Sequence, residues 1–469
     1  MLALVIAAVG LLAFPRFISA ESKQGLYRPG VGASSRLPMI GGAAMVVAVG
    51  GASGVAVALG AEVPWPVLLT GVMFFVLGFA DDVLKSRPST RTGFSERTSF
   101  LKALAGSLVG ASLLFSFVDA NASSALSLSH WTGSGAAGSV VAFLWIAGML
   151  FTVTIGAGFS DGIDGLTTGL AIPAAGWMIA VIGIQQLGGG EFRYADLGQA
   201  AVVINQAGIP AIVALASACL GFLLFNLPSN WTKGSKSRRL AKAYLGDSGA
   251  LAIGALLVGS AVAAGIDLVL PIVAGVYLLE GLSSFVQAKI LVPLYRRFEF
   301  LGGPDRKTVH YSEFPLPFVA APLHHHLELI GMSRGGVTSL LYGVGVLLAV
   351  LATVTVFLGT PAALIAAYVI AIVILGFLWF GSSTFRPAFF RLVETGNRSE
   401  LQLCAGRPQR ILRMRLSSVV AAKPCSGSER RTAMPPLLVK MNPVSARRIF
   451  DEFRPNGDTD LTEISNPPR

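Results

Sequence analysis

Cysteine is almost missing from this chain: Cys219, Cys404 and Cys425 are the only three in 469 residues, and no two fall at motif spacing. That excludes a disulfide framework and a thiolate zinc site, both of which need paired cysteines. Charge is scarce too, at 13%, about half of what a soluble domain carries. Residues 119–135 contain no Lys or Arg at all. A water-facing surface of ordinary size cannot be made from so few charges, so a single soluble core is excluded. No motif supports a nucleic-acid partner, although the net charge is +11.

What is present instead is 53% hydrophobic residues and a mean hydropathy of +0.67, the composition of a polytopic membrane protein. A helix needs about 20 mostly apolar residues to cross the hydrocarbon. Eleven segments of that kind are expected, near 1–18, 38–60, 65–80, 100–118, 136–157, 166–187, 199–225, 248–264, 267–292, 336–358 and 362–381. The first is read as an anchor, since it lacks a basic n-region and a small-residue cleavage site. Glycines run through these stretches, as in VGGASGVAVALGA, where small residues let helix backbones approach. The expected fold is all-α: a polytopic transmembrane bundle of ten or eleven helices over residues 1–381. Residues 382–469 hold 15 basic against 8 acidic side chains and no long apolar run, and are expected to form a cytoplasmic tail with little fixed structure.

Lys and Arg set the orientation, because positive loops stay in the cytoplasm. Loops 19–37, 81–99, 226–247 and 293–335 are basic and the alternate loops are nearly devoid of Lys and Arg. The N-terminus is therefore placed outside and the tail inside. Five aspartates, Asp81, Asp82, Asp161, Asp164 and Asp247, then fall at the cytoplasmic ends of helices. A proton or ion relay would more often bury its carboxylates near the middle of a span.

Four local patterns carry the chemistry. In GFADDVLK, Lys85 lies i+4 from Asp81 and i+3 from Asp82, so all three share a face if the helix continues one turn; the set is either a surface ion pair or a place for a divalent metal or a phosphate ligand. In GFSDGIDGLTTG, Asp161 and Asp164 stand among glycines ahead of an apolar helix. That is either an acidic turn or a ligand site at free helix amides. In AYLGDSGALAIG, Asp247 or Ser248 can cap the following helix, or Asp247 can bind metal. In APLHHHLELIGM, His324, His325 and His326 are either solvated or donors to phosphate. Glu280, Ser283 and Gln287 form a polar stripe on one helix face, read as interhelical hydrogen bonding.

In this order the motifs, together with FN at Phe225 and Asn226, EGLSSFVQ and PLHHHLE, resemble the polyprenyl-phosphate N-acetylhexosamine-1-phosphate transferases over residues 1–358. The histidine triplet aligns the chain with the family's phospho-N-acetylmuramoyl-pentapeptide transferases. The resemblance implies transfer of phospho-MurNAc-pentapeptide from UDP-MurNAc-pentapeptide to undecaprenyl phosphate. Lipid I and UMP are the products, formed at a cytoplasmic-side cleft in a bacterial inner (plasma) membrane with Mg2+ as cofactor. By the same resemblance, Asp247 would be the metal ligand and Asp81, Asp82 and Lys85 would face the lipid phosphate, with Asp81 a candidate base. Asp161 and Asp164 would line the nucleotide side, Asn226 would order the cleft, Tyr244 would stack on uracil, and His324, His325 and His326 would support the sugar–pyrophosphate end. A homodimer is compatible with the family.

The chain also departs from that pattern. Ser34 stands at a family lysine, with Arg36 as the proposed substitute; Ser99 stands at another, with Lys102 a helical turn later; Gly158 replaces an asparagine. The insert NWTKGSKSRRL, an eleventh helix and the tail are additions. A relative acting on another UDP-N-acetylhexosamine, or a membrane transporter or scaffold, are the competing readings.

Overall fold

The computed structural model describes residues 41–86, 93–120, 124–133, 135–187, 208–227, 243–291, 293–294, 317–318, 321–329, 332–358 and 361–383. It also describes the backbone of short strands elsewhere. Arg36, the first predicted span and the basic insert lie outside these residues. The helices are α1 (Gly41–Ala58), α2 (Trp65–Ser86), α3 (Glu96–Leu114), α4 (Ser116–Ala120), α5 (Leu128–Thr132), α6 (Ala136–Ser160), α7 (Leu166–Leu187) and α8 (Ile209–Asn226). They continue with α9 (Gly246–Ala264), α10 (Leu270–Val273), α11 (Gly275–Phe285), α12 (Leu323–Leu329), α13 (Arg334–Leu358) and α14 (Pro361–Ser383). Among the described residues, eight of these are long and apolar enough to cross a membrane, and the chain is a multi-pass helical membrane protein. In the tail, backbone strands Pro387–Thr395, Arg398–Ala405 and Arg410–Leu416 pair antiparallel in sequence order.

The chain divides into two compact units, residues 1–281 with 338–375, and 282–337 with 376–469. In the first, α9 is the axis: 89% of its span is buried, against 44% for each of α2 and α6. Lipid is as apolar as a leucine side chain, so helices in a membrane associate by close packing rather than by hydrophobic exclusion. Glycine makes that packing possible along α9. A Cβ on Gly78 of α2 would come within 2.5 Å of the Asp247 carbonyl oxygen, and one on Gly254 within 2.7 Å of Thr154 Cα in α6. Gly42 of α1 abuts Gly249 in the same way. The glycines expected to do this in α1, Gly50, Gly51 and Gly54, have nothing within 4 Å, because they lie on the exposed face of a stretch that packs through Ala48, Val49, Ala52, Ser53 and Ala56 instead.

Two predicted spans are redrawn. The segment expected at 199–225 begins its helix only at Ile209, with Pro210 in its first turn, where the missing N–H is harmless. The segment expected at 267–292 is broken. Gly265 ends α9 in the left-handed region at φ 69°, a turn carries Asp267, α10 and α11 follow, and Val286–Leu291 winds as a π-helical turn. The predicted helix at 65–80 extends to Ser86, which carries the DDxxK pattern onto a helix.

Candidate active site

At one end of the first unit, Lys85 joins two of the predicted motifs. Its Nζ lies 2.7 Å from Asp81 Oδ2, the neighbour one turn back, and 2.8 Å from Asp247 Oδ2, 162 residues away. An ammonium has three donors, so these two contacts leave one, and the Lys85 side chain is 33% exposed. Asp81 is more committed, because its Oδ1 accepts the Phe94 N–H at 2.7 Å. Gly93 permits that approach by turning through φ 68°. Lys102 folds back beside the same loop, with Nζ 3.7 Å from the Phe94 ring centroid and 3.4 Å from the Leu77 carbonyl oxygen.

Asp82 points to the same helix end but serves another purpose. Its Oδ1 accepts the Asp247 N–H at 3.0 Å and its Oδ2 the Ser248 N–H at 2.9 Å. A helix start leaves four such amides unpaired, and α9 has no side-chain cap of its own. Capping is one of the two roles the sequence allows Asp247 and Ser248. A carboxylate from α2 takes that task, which leaves the Asp247 side chain to Lys85 and, 34% exposed, to solvent. Gly246, at φ 76°, is required where it stands, since a Cβ would fall 2.5 Å from Asp82 Oδ2.

The second acidic motif reaches this place through the short segment 243–247. Tyr244 Oη donates to the Asp161 carbonyl oxygen at 3.0 Å. Asn226 bridges, accepting the Gly165 N–H at 2.6 Å and donating to the Ala243 carbonyl at 2.9 Å. Only Leu245 and Gly246 separate Tyr244 from Asp247, at most about 11 Å of extended chain. Asp161 is buried and Asp164 half-buried. Asp81, Asp82, Lys85, Asn226, Tyr244, Asp247 and the Asp161–Asp164 turn therefore gather at one end of the bundle.

The histidine triplet belongs to the second unit and is ordered by the polar stripe. Ser283 Oγ accepts the Leu323 N–H at 3.0 Å and Gln287 Oε1, in the π-helical turn, the Phe318 N–H at 3.1 Å. Periodicity predicts a stripe that bonds between helices; Ser283 does so, from α11 to the first residue of α12, while Gln287 holds the backbone that precedes α12. His324 and His326 are buried and His325 is not. His326 Nε2 lies 2.9 Å from the Ser382 carbonyl oxygen. Burial holds its pKa below the ordinary imidazole value against the opposing pull of that carbonyl. The neutral ring must then donate through Nε2–H, since a carbonyl can only accept. Burial raises the Glu328 carboxyl, but its bond to His325 and the Arg334 guanidinium, 2.6 Å away, overcome this and bring it to about 2.

Three groups here have no motif to announce them: Phe94, which acts through its backbone, and Tyr277 and Tyr342, single tyrosines in apolar helices whose hydroxyls donate to the Thr167 and Gly165 carbonyls. A tyrosine in a membrane-buried run must find an acceptor for its hydroxyl, and that is the one signal the sequence offers.

Comparison with known proteins places the chain in a family. Residues 64–265 match the family described as "Glycosyl transferase family 4". A phospho-N-acetylmuramoyl-pentapeptide-transferase of Anoxybacillus flavithermus is 30% identical over 284 residues, 61% of this chain and 72% of that protein. The chain belongs to glycosyl transferase family 4. Proteins of the same name are 34% identical in Gluconacetobacter diazotrophicus, over 57% of this chain, and 29% identical in Geobacillus kaustophilus, over 61% of this chain and 72% of that protein. The chain spans 64% of the Gluconacetobacter relative's length. The family match runs from the start of α2 to the end of α9, and so contains every member of the aspartate–lysine cluster.

Proposed function

We propose that this family 4 chain transfers phospho-MurNAc-pentapeptide from UDP-MurNAc-pentapeptide to undecaprenyl phosphate, giving lipid I and UMP. The observation that carries the proposal is Lys85 clasped between Asp81 and Asp247 at the end of the bundle where Asp161, Asn226 and Tyr244 also meet. An oxygen of the lipid phosphate attacks the β-phosphorus of the UDP-sugar in line. The bond from that phosphorus to the bridging oxygen breaks, and UMP departs with the electron pair.

Catalysis of this kind is mainly positional and electrostatic. Lys85, with a donor to spare and access to solvent, receives the lipid phosphate. Both Asp81 oxygens are engaged by Lys85 and Phe94, so Asp81 is assigned the holding of Lys85 rather than the role of base. The acceptor needs no base, because a phosphate monoester is largely ionised near neutral pH. Asp82 fixes the start of α9 and with it Asp247. Asp161 and Asp164 face the nucleotide, Tyr244 offers its ring to uracil, Arg36 stands in for the family lysine in binding the UDP-substrate, and His324, His325 and His326 support the sugar–pyrophosphate end.

Among the described residues no group of three or more His, Cys, Asp or Glu is arranged around a metal position. Magnesium, however, is usually held by one or two carboxylates with substrate phosphates and water completing its shell. The donors fit that mode: Asp247 uses one oxygen on Lys85 and is one-third exposed, and two carboxylates sharing one ammonium favour a second cation. Asp247 would hold the ion, which when bound supplies neutralisation of the pyrophosphate charge.

The test is UMP release in detergent with magnesium and undecaprenyl phosphate. UDP-MurNAc-pentapeptide should support turnover and UDP-GlcNAc should not. The reverse preference would assign the chain to another UDP-N-acetylhexosamine, and no release from either would leave the transporter or scaffold reading.

A further inference from the structure

We infer that Tyr277 and Tyr342 are positioning residues for the Asp161–Asp164 turn, holding its far end through their hydroxyls. The inference rests on the proposal that Asp161 and Asp164 face the nucleotide. Tyr277 of α11 is fully buried and donates to the Thr167 carbonyl at 2.5 Å. Tyr342 of α13 donates to the Gly165 carbonyl. That carbonyl also accepts the Gly169 N–H at 2.9 Å and, at the longer distance of 3.4 Å, the Thr168 hydroxyl, so the phenol completes its set of donors.

Gly165 is thereby clamped on both sides of its residue, the N–H to Asn226 at 2.6 Å and the carbonyl to Tyr342. It adopts φ 85°, a conformation natural to glycine. At the other end of the turn, Tyr244 holds the Asp161 carbonyl. Asp164 thus sits in a span of five residues anchored at both limits, with Ser160 and Thr167 hydroxyls 2.9 Å apart beneath it in the chain. Gly169 keeps α7 and α13 close enough for this reach, since any side chain there would run into the Tyr342 phenol. A phenylalanine would fill the same volume at 277 and 342. Only the hydroxyl is specific to the clamp, and it goes to the first turn after the acidic motif both times.

The experiment compares Tyr342→Phe, Tyr277→Phe and Tyr368→Phe with the unmodified full chain in detergent. Tyr368 donates to the Leu268 carbonyl, the same chemistry at the opposite end of the bundle, and serves as the control. Deuterium uptake over residues 161–168 should rise several-fold in Tyr342→Phe and Tyr277→Phe and stay unchanged in Tyr368→Phe. Turnover should follow, with kcat down about tenfold in the first two and the KM for undecaprenyl phosphate within about twofold, as expected for misplaced groups rather than lost binding. Unchanged uptake over 161–168 in both variants, or a rise spread equally over the bundle and matched by Tyr368→Phe, overturns the inference. Uptake needs no substrate, so it decides the clamp even if the unmodified chain fails to use UDP-MurNAc-pentapeptide, a result that would defeat the functional proposal alone.

Discussion

The two ends of α9 each receive an aspartate, and the bundle treats them in opposite ways. Past the C-terminal end, Asp267 is 4% exposed and wrapped in neutral donors. The Leu128 N–H reaches its Oδ2 at 3.1 Å and the Trp145 indole N–H reaches it at 2.9 Å. Nearby, Ser124 Oγ donates to the Gly265 carbonyl at 2.6 Å. These bonds tie the 124–133 segment to the end of α9. At the N-terminal end, Asp247 is 34% exposed and paired with an ammonium that is itself shared and accessible. A carboxylate used as a fastener is enclosed and satisfied by amides. One meant to meet a charged ligand keeps a cation beside it and a face to water.

The largest test of that contrast is Asp247→Asn, which keeps the shape and removes the charge. Turnover should fall about a thousandfold, with the thermal unfolding profile in detergent preserved; near-normal UMP release would place Asp247 with the fasteners. Asp267→Ala should do the reverse. It strands a buried amide and an indole N–H, a loss of about 1–3 kcal/mol in stability, readable as a lowered Tm, while kcat stays within about twofold. A large kcat loss at unchanged Tm would erase the distinction between the ends.

A pH series sharpens the picture in the second unit. Glu328 is depressed from 4.5 to about 2, so the stability it contributes is complete above about pH 4.5 and is lost as pH falls toward 2. Glu328→Gln should therefore lower Tm at pH 7 and approach the unmodified protein at acid pH. A Tm gap that widens on acidification would contradict the assigned ion pair. The smallest effect is expected from removing residues 384–469, which should leave turnover within about twofold. That cut retains Ser382, whose carbonyl meets His326.

Much of this is legible in the sequence because it is local. Apolar length announces a span, and the four-residue spacing of Asp81 and Lys85 is enough to put them on one helix face. What the sequence hides is non-local. Nothing near Asp82 says that both its oxygens go to amides 165 and 166 residues away, or that Ser283 and Gln287 find the Leu323 and Phe318 amides 40 and 31 residues on. Apolar length also misleads where a break is made by turn geometry: residues 267–292 read as one helix, yet Gly265, Pro271 and the buried Asp267 set a turn and a short helix ahead of α11. Likewise the glycine run in α1 promises close contact that only Gly41 and Gly42 make.

Asp81 and Asp247 belong to one site only if their losses are not independent. A double-mutant cycle of UMP release over Asp81→Asn, Asp247→Asn and the double variant measures this directly. The double variant should be little worse than Asp247→Asn alone, because both changes release the same lysine. Losses that multiply would show two separate carboxylates and contradict the account.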